Sequence, residues 1–125
     1  MKKTKMLKKN YEFKKVLSKG KYYSGRLIGA YILKNNKNYN LLGLAISVKT
    51  GKAHIRNNLK RLIRENYKIL ENDIFSGNSI VFLCKKGIDI KNINFYNIKK
   101  DMEMIFDKAN FKNKEKYEEN ISKDN

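Results

Sequence analysis

The stretch 55–70, running Ile-Arg-Asn-Asn-Leu-Lys-Arg-Leu-Ile-Arg-Glu-Asn-Tyr-Lys-Ile-Leu, constrains the fold more than any other part of the chain. At about 100° per residue, Ile55, Leu59, Leu62, Ile63, Ile69 and Leu70 fall between roughly 220° and 340° from Arg56. Lys60, Arg64, Asn57, Lys68 and Arg61 fall between roughly 40° and 140°. A helix divided in this way lays one side on another structural layer and keeps the other in water. The basic side is costly. Like charges at i,i+4 (Arg56, Lys60, Arg64) repel by a few tenths of a kcal/mol per pair. Cations near a helix N-terminus also oppose its dipole. A solvated face in a Lys-rich chain is the bland reading, and those two costs argue against it. An external anion is the reason to accept them.

The rest of the composition points the same way. The chain has 125 residues, 29 Lys+Arg against 12 Asp+Glu, and a net charge of +17. Only Arg26, Arg56, Arg61 and Arg64 are arginines, so three of the four lie within 56–64. Arg offers a planar fork for phosphate that Lys lacks. Such a charge on one small domain calls for a polyanionic partner, most simply nucleic acid. No apolar run is long enough to span a bilayer, and no basic helix carries the exposed Trp or Phe of a membrane-surface binder. The charged N-terminus has no apolar stretch behind it and does not read as a signal peptide. Cys84 is the single cysteine and has no internal partner, which fits a reducing cytoplasm. The segment 107–125 carries five Lys and five acids, so all the excess charge lies in 1–106. We read 1–109 as one nucleic-acid-binding domain and 110–125 as a charged extension.

The chain has no Pro, so Gly and Asn punctuate it. A first helix is expected near 11–18, with Asn10 as N-cap, Gly20 as C-cap, and Phe13, Val16 and Leu17 on one face. Tyr22 to Leu33 reads as a strand, the Asn-rich run 35–40 as a turn, and 41–48 as the hairpin partner. The basic loop 49–54 leads into the helix of 55–70, with Gly51 free to take a positive φ. Amides at that helix start can bind a phosphate beside Lys49 and Lys52. A short strand at 79–84 and a helix near 94–109 follow. The order α-β-β-α-β-α implies an α+β fold, a small sheet packed with helices.

The run Lys49-Thr50-Gly51-Lys52-Ala53-His54-Ile55-Arg56-Asn57-Asn58-Leu59-Lys60-Arg61-Leu62-Ile63-Arg64 closely resembles the signature of the bacterial ribonuclease P protein subunit. The matching positions are Lys49, Gly51, Ala53, Arg56, Asn57, Lys60, Arg61 and Arg64. Leu7-Lys8-Lys9, Phe13, Val16, Gly20, Tyr31 and Gly43-Leu44 extend the resemblance over about 5–108. Two positions depart from it: Asn58 replaces the second arginine of the Arg-Asn-Arg core, and His54 replaces the usual Val. Leu17 stands where the family often has an aromatic.

The resemblance implies a fold like ribosomal protein S5 domain 2, with a mixed sheet and a left-handed βαβ crossover around the motif helix. It implies that ribonuclease P RNA, with bound Mg²⁺, hydrolyses precursor tRNA at its 5′ end, and that no protein partner is required. Lys49, Lys52, Arg56, Asn57, Lys60, Arg61 and Arg64 would face the RNA. Phe13, Leu17 and Tyr31 would line a cleft for the 5′ leader, where aromatics stack on bases without reading sequence. Strand alternation sets Tyr31 beside Leu27, Gly29 and Leu33, with Gly29 leaving room for a base.

No protein catalytic centre emerges from the residues themselves. Two-metal nucleases need clustered carboxylates, and 14–88 holds only Glu65, Glu71 and Asp73. His54 has no metal-ligand spacing around it, and Cys84 ends an apolar strand as a small hydrophobe. The rival class is a small ribosomal or chaperone-like RNA-binding protein without a processing role.

Overall fold

The protein's structure is a computed structural model that describes residues 3–110. The extension read at 110–125 therefore lies, beyond Asn110, outside the described residues. In chain order the elements are β1 (Thr4–Met6), α1 (Asn10–Lys19), β2 (Lys21–Ser24), β3 (Ile28–Lys34), β4 (Asn40–Leu44), α2 (Ala53–Leu70), β5 (Asn78–Cys84) and α3 (Phe95–Lys108). Short 3₁₀ turns sit at Val48–Thr50, Glu71–Asp73 and Ile90–Asn92. The strands form one mixed sheet in the order β1-β4-β5-β3-β2.

β5 is central because its run Ser-Ile-Val-Phe-Leu-Cys is apolar on both faces, as a strand covered from both sides must be. Ile80 and Phe82 face α2 and α3, and Val81 faces α1. The main core gathers Leu59, Leu62, Ile63, Tyr67 and Leu70 of α2 with Ile98, Met102, Ile105 and Phe106 of α3 against Ile28, Ala30, Leu42, Ile80 and Phe82. A second, smaller cluster on the opposite face holds Leu7, Val16 and Val81.

The α+β architecture is as expected, with several corrections. First, 41–48 is not a hairpin partner of the preceding strand. Only 40–44 is strand, and it runs parallel to both β1 and β5, with β5 inserted between it and β3. A five-residue connection, 35–39, does not enforce a tight hairpin. Instead, the Asn40 side chain accepts the Asn78 amide at 2.9 Å and joins β4 to the start of β5. α2 thereby becomes the crossover of a β4-α2-β5 unit.

Second, Tyr22 to Leu33 is two antiparallel strands joined by a turn at 25–27. The Asp101 carboxylate accepts the amides of Arg26, Leu27 and Ile28 at 3.1, 2.6 and 3.0 Å, and this clamp bends the chain. Gly25 is required there because a Cβ would press on that carboxylate. Third, β1 was not foreseen; its three residues carry no alternation, and Thr4 is held by a 2.7 Å bond to Tyr67. Fourth, Lys9 rather than Asn10 occupies the N-cap of α1, without a side-chain cap bond. Leu27 also belongs to the main core rather than beside Tyr31, and Ile69, at the edge of the apolar arc, is 52% exposed.

Candidate nucleic-acid interface

The loop ahead of α2 is built to be rigid. The Ser47 hydroxyl accepts the Lys49 amide at 3.2 Å and starts a 3₁₀ turn. Gly51 then takes φ 155°, a backbone setting that side-chain-bearing residues avoid. Arg56 reaches back from α2 and donates from Nη1 to the Gly51 carbonyl at 3.0 Å. That bond fixes loop and helix together. Arg56 is therefore partly spent on positioning the loop.

The first bonds of α2 run from the Ile55 and Arg56 amides to the Lys52 carbonyl, and Lys52 makes no side-chain cap. The amides of Ala53 and His54 precede that ladder and remain available to an anion. Around them stand Lys49 and Lys52, both exposed. Along the helix, Asn57 and Arg64 are exposed and Lys60 is half-buried, and none of these side chains makes a hydrogen bond or ion pair among the described residues. Arg61 differs. It donates to Glu65 at 2.9 Å and to Asn58 Oδ1 at 2.8 Å. Both partners are exposed, so the ion pair is worth only about 0.3–0.5 kcal/mol and yields to a stronger anion. Asn58, at the position departing from the family signature, thus serves as a rest for Arg61. His54 is exposed in the first turn.

A second surface lies across the sheet. Phe13 packs onto Gly43, where a Cβ would collide with its ring. Tyr31 and Leu33 are half-buried beside Val81. Leu17 is 39% exposed and sits with Tyr11, Lys14 and Ser18 on the outer side of α1, apart from that cluster. The room expected over Gly29 is occupied by the Tyr22 ring, which lies against Gly29 with its hydroxyl end. Tyr22 and Tyr31 form a tilted pair, with centroids 4.9 Å apart and planes at 46°. Tyr22 is 40% exposed and joins Phe13 and Tyr31, the two aromatics expected on this face, as a third. Its alternation with Ser24 opposite Tyr31 and Gly29 was the available signal.

Two ionisable groups have displaced pKa values. Burial pushes Tyr67 up to about 12, against the lowering effect of its bonds to Thr4 and Asn40. Burial also pushes the Cys84 thiol up, partly offset by a bond with Thr50. Neither faces an open site. Among the described residues, no group of three or more His, Cys, Asp or Glu could hold a metal ion. The donor set does not fit a protein-held Mg²⁺, which wants about six oxygens in near-octahedral array. Also among the described residues, no helix is long and apolar enough to cross a membrane.

The family model for ribonuclease P matches residues 1–110. The chain belongs to the ribonuclease P protein family. The ribonuclease P protein component of Clostridium botulinum (strain Loch Maree / Type A3) is 42% identical over 87 residues, covering 69% of this chain and 78% of the relative. That of Thermoanaerobacter sp. (strain X514) is 34% identical over 103 residues, covering 82% and 87%. Among solved structures, the Staphylococcus aureus RNase P protein matches with a TM-score of 0.76 at 28% identity, covering 86% of this chain and 97% of that one. The Thermotoga maritima RNase P protein matches with a TM-score of 0.71 at 26% identity, covering 78% and 91%. Membership of the ribonuclease P protein family implies a role in tRNA processing, as the protein component of an endoribonuclease that associates with ribonuclease P RNA.

Proposed function

We propose that the two surfaces divide the labour of an RNA-catalysed 5′ maturation. The α2 strip clamps ribonuclease P RNA: Lys49, Lys52, Asn57, Lys60 and Arg64 supply free donors, Arg61 is released from Glu65, and Arg56 holds the loop while presenting its remaining N–H groups. The sheet face with Phe13 and Tyr31 holds the single-stranded 5′ leader of precursor tRNA, and Leu17, on the outer side of α1, stands outside it. Mg²⁺ belongs with the RNA, where phosphate oxygens supply the ligand cluster not found among the described residues. The observation that carries the reading is the pairing of unbonded cations on α2 with a half-covered aromatic sheet face.

The deciding experiment mixes the protein with a cognate ribonuclease P RNA and precursor tRNA at low Mg²⁺. Stimulated 5′ cleavage is expected; binding without stimulation would assign the chain to the chaperone-like class. Within that assay, Arg64→Ala should flatten the salt dependence of RNA binding by about 0.7–0.9 in log–log slope, one phosphate's worth. Tyr31→Ala should weaken leader-bearing precursor and leave mature tRNA unchanged.

A further inference from the structure

The fourth arginine, Arg26, is far from α2 in sequence but lies at the same end of the sheet. β4 and β5 are parallel, so the loop of Lys49 and Lys52 and the pair Lys85-Lys86 leave the sheet at one end. Ile28 pairs with Cys84, which brings the 25–27 turn there too.

Behind this edge is a cavity of about 710 Å³, lined by Arg26, Lys85, Lys86, Lys100, Asn92 and Asn97. Its two acids are engaged. Asp101 is buried and takes three backbone amides, and Asp89 accepts the Lys91 amide at 2.9 Å to begin a 3₁₀ turn. The cations outnumber them four to two. The walls are preorganised: the Asp101 clamp fixes the backbone of Arg26, and Lys85 Nζ donates to the carbonyl of the preceding Gly25 at 3.0 Å. The Arg26 guanidinium itself makes no bond among the described residues and is exposed. A guanidinium fork on a fixed turn, with lysines on two sides, suits a phosphodiester. Asn97 Nδ2 already donates to the Asn92 carbonyl at 2.7 Å, and the remaining donors and acceptors of the two Asn carboxamides suit a ribose or base edge.

We propose that this cavity is a second RNA-phosphate site, separate from the α2 strip and the aromatic face. The proposal rests on the chain binding RNA, and the test separates the two claims. The full-length double variant Arg26→Ala/Lys100→Ala is compared with Arg64→Ala and with Lys19→Ala, a single-charge control at the end of α1. Each is titrated with ribonuclease P RNA alone and, as holoenzyme, with leader-bearing precursor tRNA over a salt series, after a thermal melt confirms folding. The double variant should lower the log–log slope by about 1–2 for one of the two RNAs. A loss confined to ribonuclease P RNA puts the catalytic RNA in the cavity; a loss confined to precursor puts the substrate there. Unchanged slopes for both RNAs, while Arg64→Ala still lowers its own, overturn the second site and leave the α2 reading intact. A Lys19→Ala loss as large as the double variant's also overturns it, by making the effect one of bulk charge.

Discussion

The two faces of the sheet are built from the same five strands and end up in opposite states. Under α2 and α3, Ile28, Leu42, Ile80 and Phe82 are fully sealed. On the other face the buried apolar side chains among the described residues are Leu7, Val16 and Val81, while Phe13, Tyr31, Leu33, Leu41 and Ala45 stay partly open. Geometry explains the difference. Five strands at about 4.8 Å spacing put the edge strands about 19 Å apart, whereas one helix is only about 10 Å across. Two helices cover the sheet and one cannot. The uncovered remainder holds the Tyr22–Tyr31 pair, so incomplete burial on that side leaves a stacking surface.

The sharpest way to break this contrast is to truncate one residue on each face. Leu59→Ala in the sealed core should cost about 3–5 kcal/mol, because transfer and cavity terms add. Phe13→Ala on the open face should cost about half as much, since solvent already reaches the ring. Urea unfolding of both variants checks this; equal losses would mean the open face is as load-sharing as the closed one.

Asp101→Asn comes next. A single carboxamide oxygen cannot accept three amides, so one or two buried N–H groups lose their partner, at about 1–3 kcal/mol each. A loss of about 2–3 kcal/mol in urea, with weaker amide-exchange protection at 26–28, is expected. A neutral result would show that the turn forms without its clamp.

The Asp101 clamp also shows where the sequence stopped being informative. The amphipathic division of α2 was readable because its period is local, and the core positions Leu59, Leu62, Ile63 and Leu70 followed from it. The central strand was readable because its apolar run is continuous. Strand order was not. Whether β4 pairs with β3 or crosses over to β5 depends on Asn40 meeting Asn78, and the break at 25–27 depends on a carboxylate 75 residues away. At the interface, the cations of the strip were legible as a face, but their bonding states were not. That Arg56 is tied to Gly51 and Arg61 to Asn58 and Glu65 follows from rotamers, not from spacing. Tyr67 was similarly unassigned. It lies near the boundary between the two arcs, yet it is completely buried because β1 closes over it.

Tyr67→Phe tests that closure. At pH 8 the variant should lose about 1 kcal/mol, the net worth of the hydroxyl's bonds to Thr4 and Asn40. The alkaline behaviour should be opposite. The unfolded phenol releases its proton near pH 10.0 and the folded one near about 12, so wild-type stability falls across that window. The shift corresponds to roughly 2–3 kcal/mol that Phe does not lose. Stability curves of the two proteins should therefore cross above pH 10; parallel curves would place Tyr67 in water.

The smallest effect on stability, and the most telling for function, is expected at Tyr22. Tyr22→Leu keeps an apolar cover over Gly29 and should change unfolding by under about 1 kcal/mol, the range of an aromatic pair's extra energy. If the open face stacks leader bases, the same substitution removes up to about 1–3 kcal/mol of binding to leader-bearing precursor. Mature tRNA, lacking a leader, should bind as before, and Tyr22→Phe should retain wild-type affinity because stacking needs the ring and not the hydroxyl. A loss shared equally by precursor and mature tRNA would mean that Tyr22 only braces Tyr31 and Gly29, and the open face would then be a consequence of helix width alone.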